Sequence, residues 1–192
     1  MSLRFGWPLR PSRRRDAYWD FFINTPPADL ANSAVEMIRS APQGNIFPTK
    51  ADIHTPEVTA SHVKDLARYL GADLVGIVRL EPRNSVSKDV EASYPFGVIS
   101  AVRAAYDPRE ARGIGGQVPV QNGLFITFVL SAWIRELGFR ATVVAVTERE
   151  QLAARAGLGT IARDGKLTTR EFGRRIYVAD VIETDLPVAA DG

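Results

Sequence analysis

The residues predict a layered α+β domain with a central mixed sheet flanked by helices. Three observations carry this. Amphipathic helical stretches are interleaved with short apolar, β-branched runs over most of the 192 residues. Two such runs, 72–80 and 96–105, follow one another with only a polar loop between them, which argues against a purely parallel, doubly wound sheet. Hydrophobic residues make up 45% of the chain and charged residues 24%, a profile that supports one real core in a chain too short for two comfortable domains.

The elements follow in order. Residues 1–27 mix Arg, Pro and aromatics without a period and read as an arm packed on the body. Residues 28–40 put Leu30, Ala34, Val35 and Ile38 on one helical face, and Pro42 and Gly44 stop that helix. The next helix is the best signalled. Thr55 stands at its cap, Pro56 suits its first turn and Glu57 favours the positive end of its dipole. Val63, Leu66, Ala67 and Leu70 form its apolar stripe, and Gly71 sits where a C-terminal cap belongs.

Residues 72–80 read as a buried strand, 81–93 as a loop and 96–105 as a second strand. Residues 106–119, with Pro108, Gly113, Gly115, Gly116 and Pro119, read as a long irregular loop of the kind that often carries function. A strongly apolar helix spans 120–137, with Leu124, Phe128, Ala132 and Leu137 as candidates for burial, and Gly138 ends it. Residues 139–146 are strand-like. Thr147 and Glu150 have capping-box spacing and open a short helix to Ala156. A glycine-punctuated segment, 157–173, precedes a last strand over 174–184. The division expected is an arm and helix over 1–56, a body over 57–188 and a loose tail over 189–192.

Composition narrows the chemistry. The sequence holds no cysteine, so it offers no disulfide and no thiolate ligand for zinc or an iron–sulfur cluster. Its two histidines, His54 and His62, leave little for a histidine metal site, and both read as loop or solvated residues. Redox chemistry would need a bound cofactor. The net charge of +2 is too small to point to nucleic acid, and none is expected as a partner. Arg10, Arg13, Arg14 and Arg15 cluster near the start, as a solvated terminus or as an arm for an acidic partner. No apolar stretch of an export signal follows them, and no apolar run of about 18 residues is present, so a cytoplasmic protein without a membrane span is expected.

Several near-motifs fail. Gly159 to Thr168 has five residues between its glycines, and Leu167 follows Lys166, so it is not a nucleotide-binding P-loop. Gly113-Ile114-Gly115-Gly116 lacks the third glycine and the strand–helix junction of a dinucleotide fingerprint. No nucleophile–base arrangement and no pair of carboxylates stands out.

Two stretches carry a specific resemblance. One runs from Val63 to Ile77 (VKDLARYLGADLVGI). The other runs from Ala156 to Arg175 (AGLGTIARDGKLTTREFGRR) and closes in Thr184-Asp185-Leu186-Pro187. Both resemble the corrinoid-binding domain of reductive dehalogenases, a family related to epoxyqueuosine reductase. Ser131 to Ala141 (SAWIRELGFRA) is similar to the helix and strand between them, and the resemblance extends over 57–188. It implies a nitroreductase-like α+β core that holds cobalamin, usually with no protein ligand below cobalt. In the family a cysteine-bearing, ferredoxin-like part carries two iron–sulfur clusters, and a tyrosine ahead of the helix matching 120–137 donates a proton. Here no cysteine is present, and Gln117 to Asn122 holds no tyrosine. The expectation is a corrinoid-binding protein without iron–sulfur clusters, which binds or processes the corrinoid or works with a separate redox protein as electron donor.

The residues expected to hold the corrinoid follow from that match. Gly157 and Gly159 would let backbone approach the ring, beside Leu158, and Thr160, Arg163, Lys166 and Thr168 would bond its amides or tail phosphate. Phe125 and Phe172 would cover a ring face near Asn122. Gly157 also fits a plain helix stop. Tyr106 opens the long loop and is the catalytic candidate, as a proton donor or as a packed ring whose hydroxyl meets water. Two other readings stay open: a flavin (FMN) reductase of the nitroreductase type, and a cofactor-free interaction module on the same fold.

Overall fold

Alternation along the strands builds a sheet with two buried faces. A computed structural model describes residues 34–81, 94–104 and 114–192. Its helices are α1 (Ala34–Ser40), α2 (Pro56–Tyr69), α3 (Ile114–Glu136) and α4 (Arg149–Arg155). Its strands are β1 (Leu74–Arg79), β2 (Phe96–Arg103), β3 (Ala141–Val144), β4 (Thr160–Ile161), β5 (Leu167–Thr168), β6 (Ile176–Val178) and β7 (Val181–Thr184). The main sheet runs β1-β2-β7-β3, with β6 beside β2, and β4 and β5 form a separate hairpin.

Every pairing among the described strands is antiparallel, which corrects the expected mixed sheet. The physical reason lies in β7. The helical crossover from β2 through α3 to β3 would leave two parallel neighbours, but β7 inserts between them and runs against both. A bulge separates β6 from β7. Val178 faces Ala101 and Ile182 faces Val98, so three residues on one strand span two on the other.

On the first face, Val75 and Ile77 of β1, Val98 and Val102 of β2 and Ile182 of β7 meet helices α2 and α3. Helix α3 contributes Ile126, Leu130 and Ile134, all fully buried. The stripe is thus offset from the one expected: Leu124 is buried, but Phe128 is partly exposed. On the second face, Val78, Ile99, Val178 and Val181 meet Leu152 and Ala153 of α4 and Leu167 of the hairpin.

The helices end alike. After α2, α3 and α4, Gly71, Gly138 and Gly157 take positive φ. At each, the glycine N–H and the next N–H return to the last turn, as in Leu158 N–H to Ala153 carbonyl at 3.0 Å. These are Schellman caps. The helix starts are plainer. Thr55 stands at the N-cap of α2 but makes no side-chain capping bond. Thr147 does not cap α4 either: Glu148 holds that place, and Glu150 turns outward to the hairpin. Helix α3 begins at Ile114 with Pro119 inside it, so the end of the expected 106–119 loop is helical. Residues 106–113 of that loop lie outside the described residues.

Two segments outside the expected 57–188 body are tied to it. Phe47 N–H donates to the Arg135 carbonyl and Ala51 N–H to the Leu137 carbonyl, both at 2.9 Å, so the loop satisfies the orphan end of α3. The tail expected to hang loose instead caps the free edge of β1. Asp191 N–H donates to the Ile77 carbonyl and its Oδ2 accepts from Ile77 N–H, each at 2.8 Å. Its Oδ1 pairs with Lys64. At Ile77 both backbone groups of the edge are thus taken and are not open to another strand.

The stretch Gln117–Glu136 is long and apolar enough to cross a membrane by length and composition. In this fold its Ile126–Leu130–Ile134 side is the core of the first face.

Candidate functional site

The segment 157–173 carries most of the expected binding residues and folds as one unit on the second face. Gly157, with φ +75°, ends α4, and nothing lies within 4 Å of where its Cβ would stand. It acts as a helix stop. Gly159 does approach backbone closely, but the backbone is this chain's own: a Cβ there would stand 2.5 Å from the Thr168 carbonyl oxygen. Gly157 therefore ends the helix, and Gly159 builds the hairpin. Leu158 and Phe172 are half-buried and packed against the second-face core.

Glu150 of α4 fastens the hairpin. Its Oε2 accepts from Leu167 N–H at 2.5 Å, and its Oε1 accepts from Lys166 Nζ at 3.0 Å. A second clasp joins Arg174 to Asp164. Past the hairpin, Thr169 N–H and Gly173 N–H each donate to the other residue's carbonyl, and Phe172 N–H donates to Thr169 Oγ1 at 3.0 Å. Thr160 and Arg163 remain exposed, and Lys166 and Thr168 are half-buried. Between the hairpin tip and the turn from β3 to α4 lies an open groove of about 330 Å³ lined by Val146, Thr147, Arg149, Glu150, Gly165 and Lys166.

Asn122 and Phe125 are not brought to this groove. They lie on α3, which covers the opposite face of the sheet, and Phe125 is 49% exposed. Tyr106 lies outside the described residues.

The bulge adds polar residues that sequence reasoning missed. Asp180 is buried and pairs with Arg149, which also lines the hairpin groove, at 3.1 Å. Arg149 stacks over the Tyr177 ring at 5.2 Å. Burial pushes the Tyr177 phenol above its usual value, opposed by the adjacent Arg149. Glu183 of β7 is the least expected. It is 1% exposed, and its Oε2 has no hydrogen-bond partner. Burial alone raises its carboxyl above the ordinary range. The signal was present: one acid in the otherwise uncharged strand Val-Ile-Glu-Thr. Among the described residues no cluster of His, Asp and Glu could hold a metal ion.

This antiparallel sheet, helix-covered on one face and closed by a short helix and hairpin on the other, has the fold of the reductive dehalogenases. The catabolic reductive dehalogenase NpRdhA matches with a TM-score of 0.69 and 25% identity, over 82% of this chain and 26% of that one. A reductive dehalogenase structure described as suggesting a mechanism for B12-dependent dehalogenation matches with the same TM-score, identity and coverage. An epoxyqueuosine reductase matches with a TM-score of 0.51 and 17% identity over 70% of this chain and 47% of that one, a likeness of fold alone. The chain thus spans about a quarter of the dehalogenases and less than half of the reductase. No protein-family model and no curated protein matches the sequence.

Proposed function

We propose that this chain binds a corrinoid on its reductive-dehalogenase fold, and that it carries or processes the corrinoid or serves a reaction whose electrons come from a separate redox protein. One observation carries the reading: the fold match extends over 82% of the chain at a TM-score of 0.69 to an enzyme described as B12-dependent. The chemistry of the hairpin supports it. A corrinoid presents amide side chains, and cobalamin adds a phosphate in its nucleotide tail. Thr160 and Arg163 offer exposed donors to such groups, and Lys166, paired with Glu150, lines a groove of about 330 Å³ with room for an amide arm or the tail phosphate and not for the ring itself. Gly159 packs against this chain's own Thr168 carbonyl, whereas Gly157 ends the helix with open space beside its Cα, which leaves room for the ring. When bound, the corrinoid would supply a redox-active cobalt, and the chain's part would be to hold and orient it. No described feature favours a flavin.

A UV–visible titration of the purified chain with oxidised and reduced cobalamin tests this, with FMN titrated in parallel. A saturable spectral change with loss of dimethylbenzimidazole coordination is the expected result. Arg163→Ala and Lys166→Ala should weaken it. No change well above micromolar cobalamin overturns the reading, and a saturable response to FMN alone replaces it with a flavin protein.

A further inference from the structure

A second cavity opens on the first face of the sheet and borders the hairpin groove at Ala145, which lines both. Its volume is about 190 Å³, and it is bounded by α1, α3, β3 and the bulge. That is below the roughly 300–1,000 Å³ usual for drug-sized ligands and far too small for a corrinoid. Leu124, Phe128 and Val143 give it apolar walls.

Its polar lining is unusual in sign. Arg135 lies in the last turn of α3, is only 4% exposed and lines the cavity. Of its five N–H donors, one is used: Nη1 donates to the Ala141 carbonyl at 2.9 Å. It has no carboxylate partner among the described residues, and burial depresses its pKa with no ionic compensation. The C-terminal end of the helix dipole offsets part of that cost. Arg39 of α1 adds a second cation at the rim, held by Glu36 only at 3.8 Å. Among the described residues the single acid in the lining, Asp180, is already engaged by Arg149. The hydroxyls in the wall have no proton to spare: Thr127 donates to the Leu124 carbonyl and Ser131 to the Phe128 carbonyl, each at 3.0 Å.

We infer that this cavity is a binding site for a small organic carboxylate, held by Arg135 at its base and Arg39 at its rim, with the apolar walls around its hydrocarbon part. A guanidinium fork matches a carboxylate in geometry and charge, and a buried cation gains most from such a partner. The site stands independently of the corrinoid reading, since it lies on the other face of the sheet and needs no cofactor.

The test is calorimetric titration of the full chain with benzoate, beside its neutral isostere benzamide and inorganic phosphate. Saturable benzoate binding is expected, at least about tenfold tighter than benzamide, in line with a charge-assisted hydrogen bond. Arg135→Gln should abolish it. Because that variant risks the fold, Arg39→Gln serves as a second test: its side chain is exposed, and it should weaken benzoate severalfold while leaving the melting temperature of the ligand-free chain in place. Equal binding of benzoate and benzamide, a response to phosphate as strong as to benzoate, full benzoate affinity in both variants, or no saturable binding at all overturns the assignment. Cobalamin binding is read separately and can fail or succeed without bearing on this result.

Discussion

The two faces of the sheet are built on different terms. On the first, two helices of 14 and 23 residues lay continuous apolar stripes on the strands. On the second, a seven-residue helix and a hairpin with two-residue strands do the covering, fastened by Glu150 and Arg174 as well as by apolar contact. A thick apolar layer is stable and says little about function. The thin layer leaves a groove, exposed donors and a buried acid, and it is where most of the expected binding residues gather, Asn122 and Phe125 excepted. Stability and candidate function are thus divided between the faces, although the carboxylate cavity shows that the division is not complete.

The largest expected effects measure that difference directly. Leu130→Ala removes a fully buried side chain from the thick face and should cost about 3–5 kcal/mol in urea unfolding. Leu152→Ala on the thin face should cost less, about 2–3 kcal/mol, because a short helix and hairpin can collapse into the space. Equal costs, or the reverse order, would show that the thin face is as tightly consolidated as the thick one.

Next come the glycines of the thin face. Gly159→Ala drives a Cβ against the Thr168 carbonyl, which belongs to backbone and cannot swing aside, so about 1–3 kcal/mol is expected. Proteolytic cutting within the hairpin should rise and cobalamin affinity should fall with it. Gly157→Ala meets no atom and is strained only by its positive φ, so about 1 kcal/mol is expected, with the hairpin intact. If Gly157→Ala is the more damaging to cobalamin binding, that glycine contacts the ligand after all.

This pair also shows what a sequence makes legible. Periodicity and punctuation located α2, β1, β2 and the body of α3, because local signals such as Thr55-Pro56, the Val63–Leu70 stripe, Gly71 and Gly138 agree with the tertiary result. The antiparallel order was hidden, since strand pairing depends on where β7 inserts, which no local pattern encodes. The segment 157–173 was legible only as glycine-punctuated, and the resemblance alone marked it for binding. Its glycines looked like ligand-approach positions because a turn, a cap and a binding loop all call for the same residue. Thr147 and Glu150 had capping-box spacing, yet the Glu side chain found the better partner at Leu167 across the chain. Arg135 could not be read as a buried cation, since its position in SAWIRELGFRA says nothing of the wall opposite.

The buried acid of the thin face gives a pH-dependent prediction. Burial raises the Glu183 carboxyl above its ordinary value of 4.5, so the folded chain holds that proton to higher pH than the unfolded chain does. Its contribution to stability is therefore greatest below pH 4.5 and is lost as pH rises through the raised folded value. Glu183→Gln keeps the shape without the ionisation. It should raise the melting temperature at neutral pH by about 2–4 °C, the shift that goes with roughly 1 kcal/mol in a chain this size, and flatten the pH dependence. A lower melting temperature at neutral pH, with the slope unchanged, would mean that the carboxylate has a partner in solution.

The smallest effect sharpens the comparison most finely. Glu150→Gln retains an acceptor for Leu167 N–H but removes the charge that faces Lys166. The Lys166 side chain is 44% exposed, so the ion pair is screened and its loss should cost less than about 1 kcal/mol. Global unfolding would barely register this. Amide exchange at Leu167 would, because a thin layer opens locally before the thick one does. Exchange there should quicken severalfold in the variant, while the α3 core amides at Ile126 and Leu130 keep their wild-type rates. If both sets speed up together, the hairpin and the thick face open as one cooperative unit, and the separation of the two faces in structure is not a separation in stability.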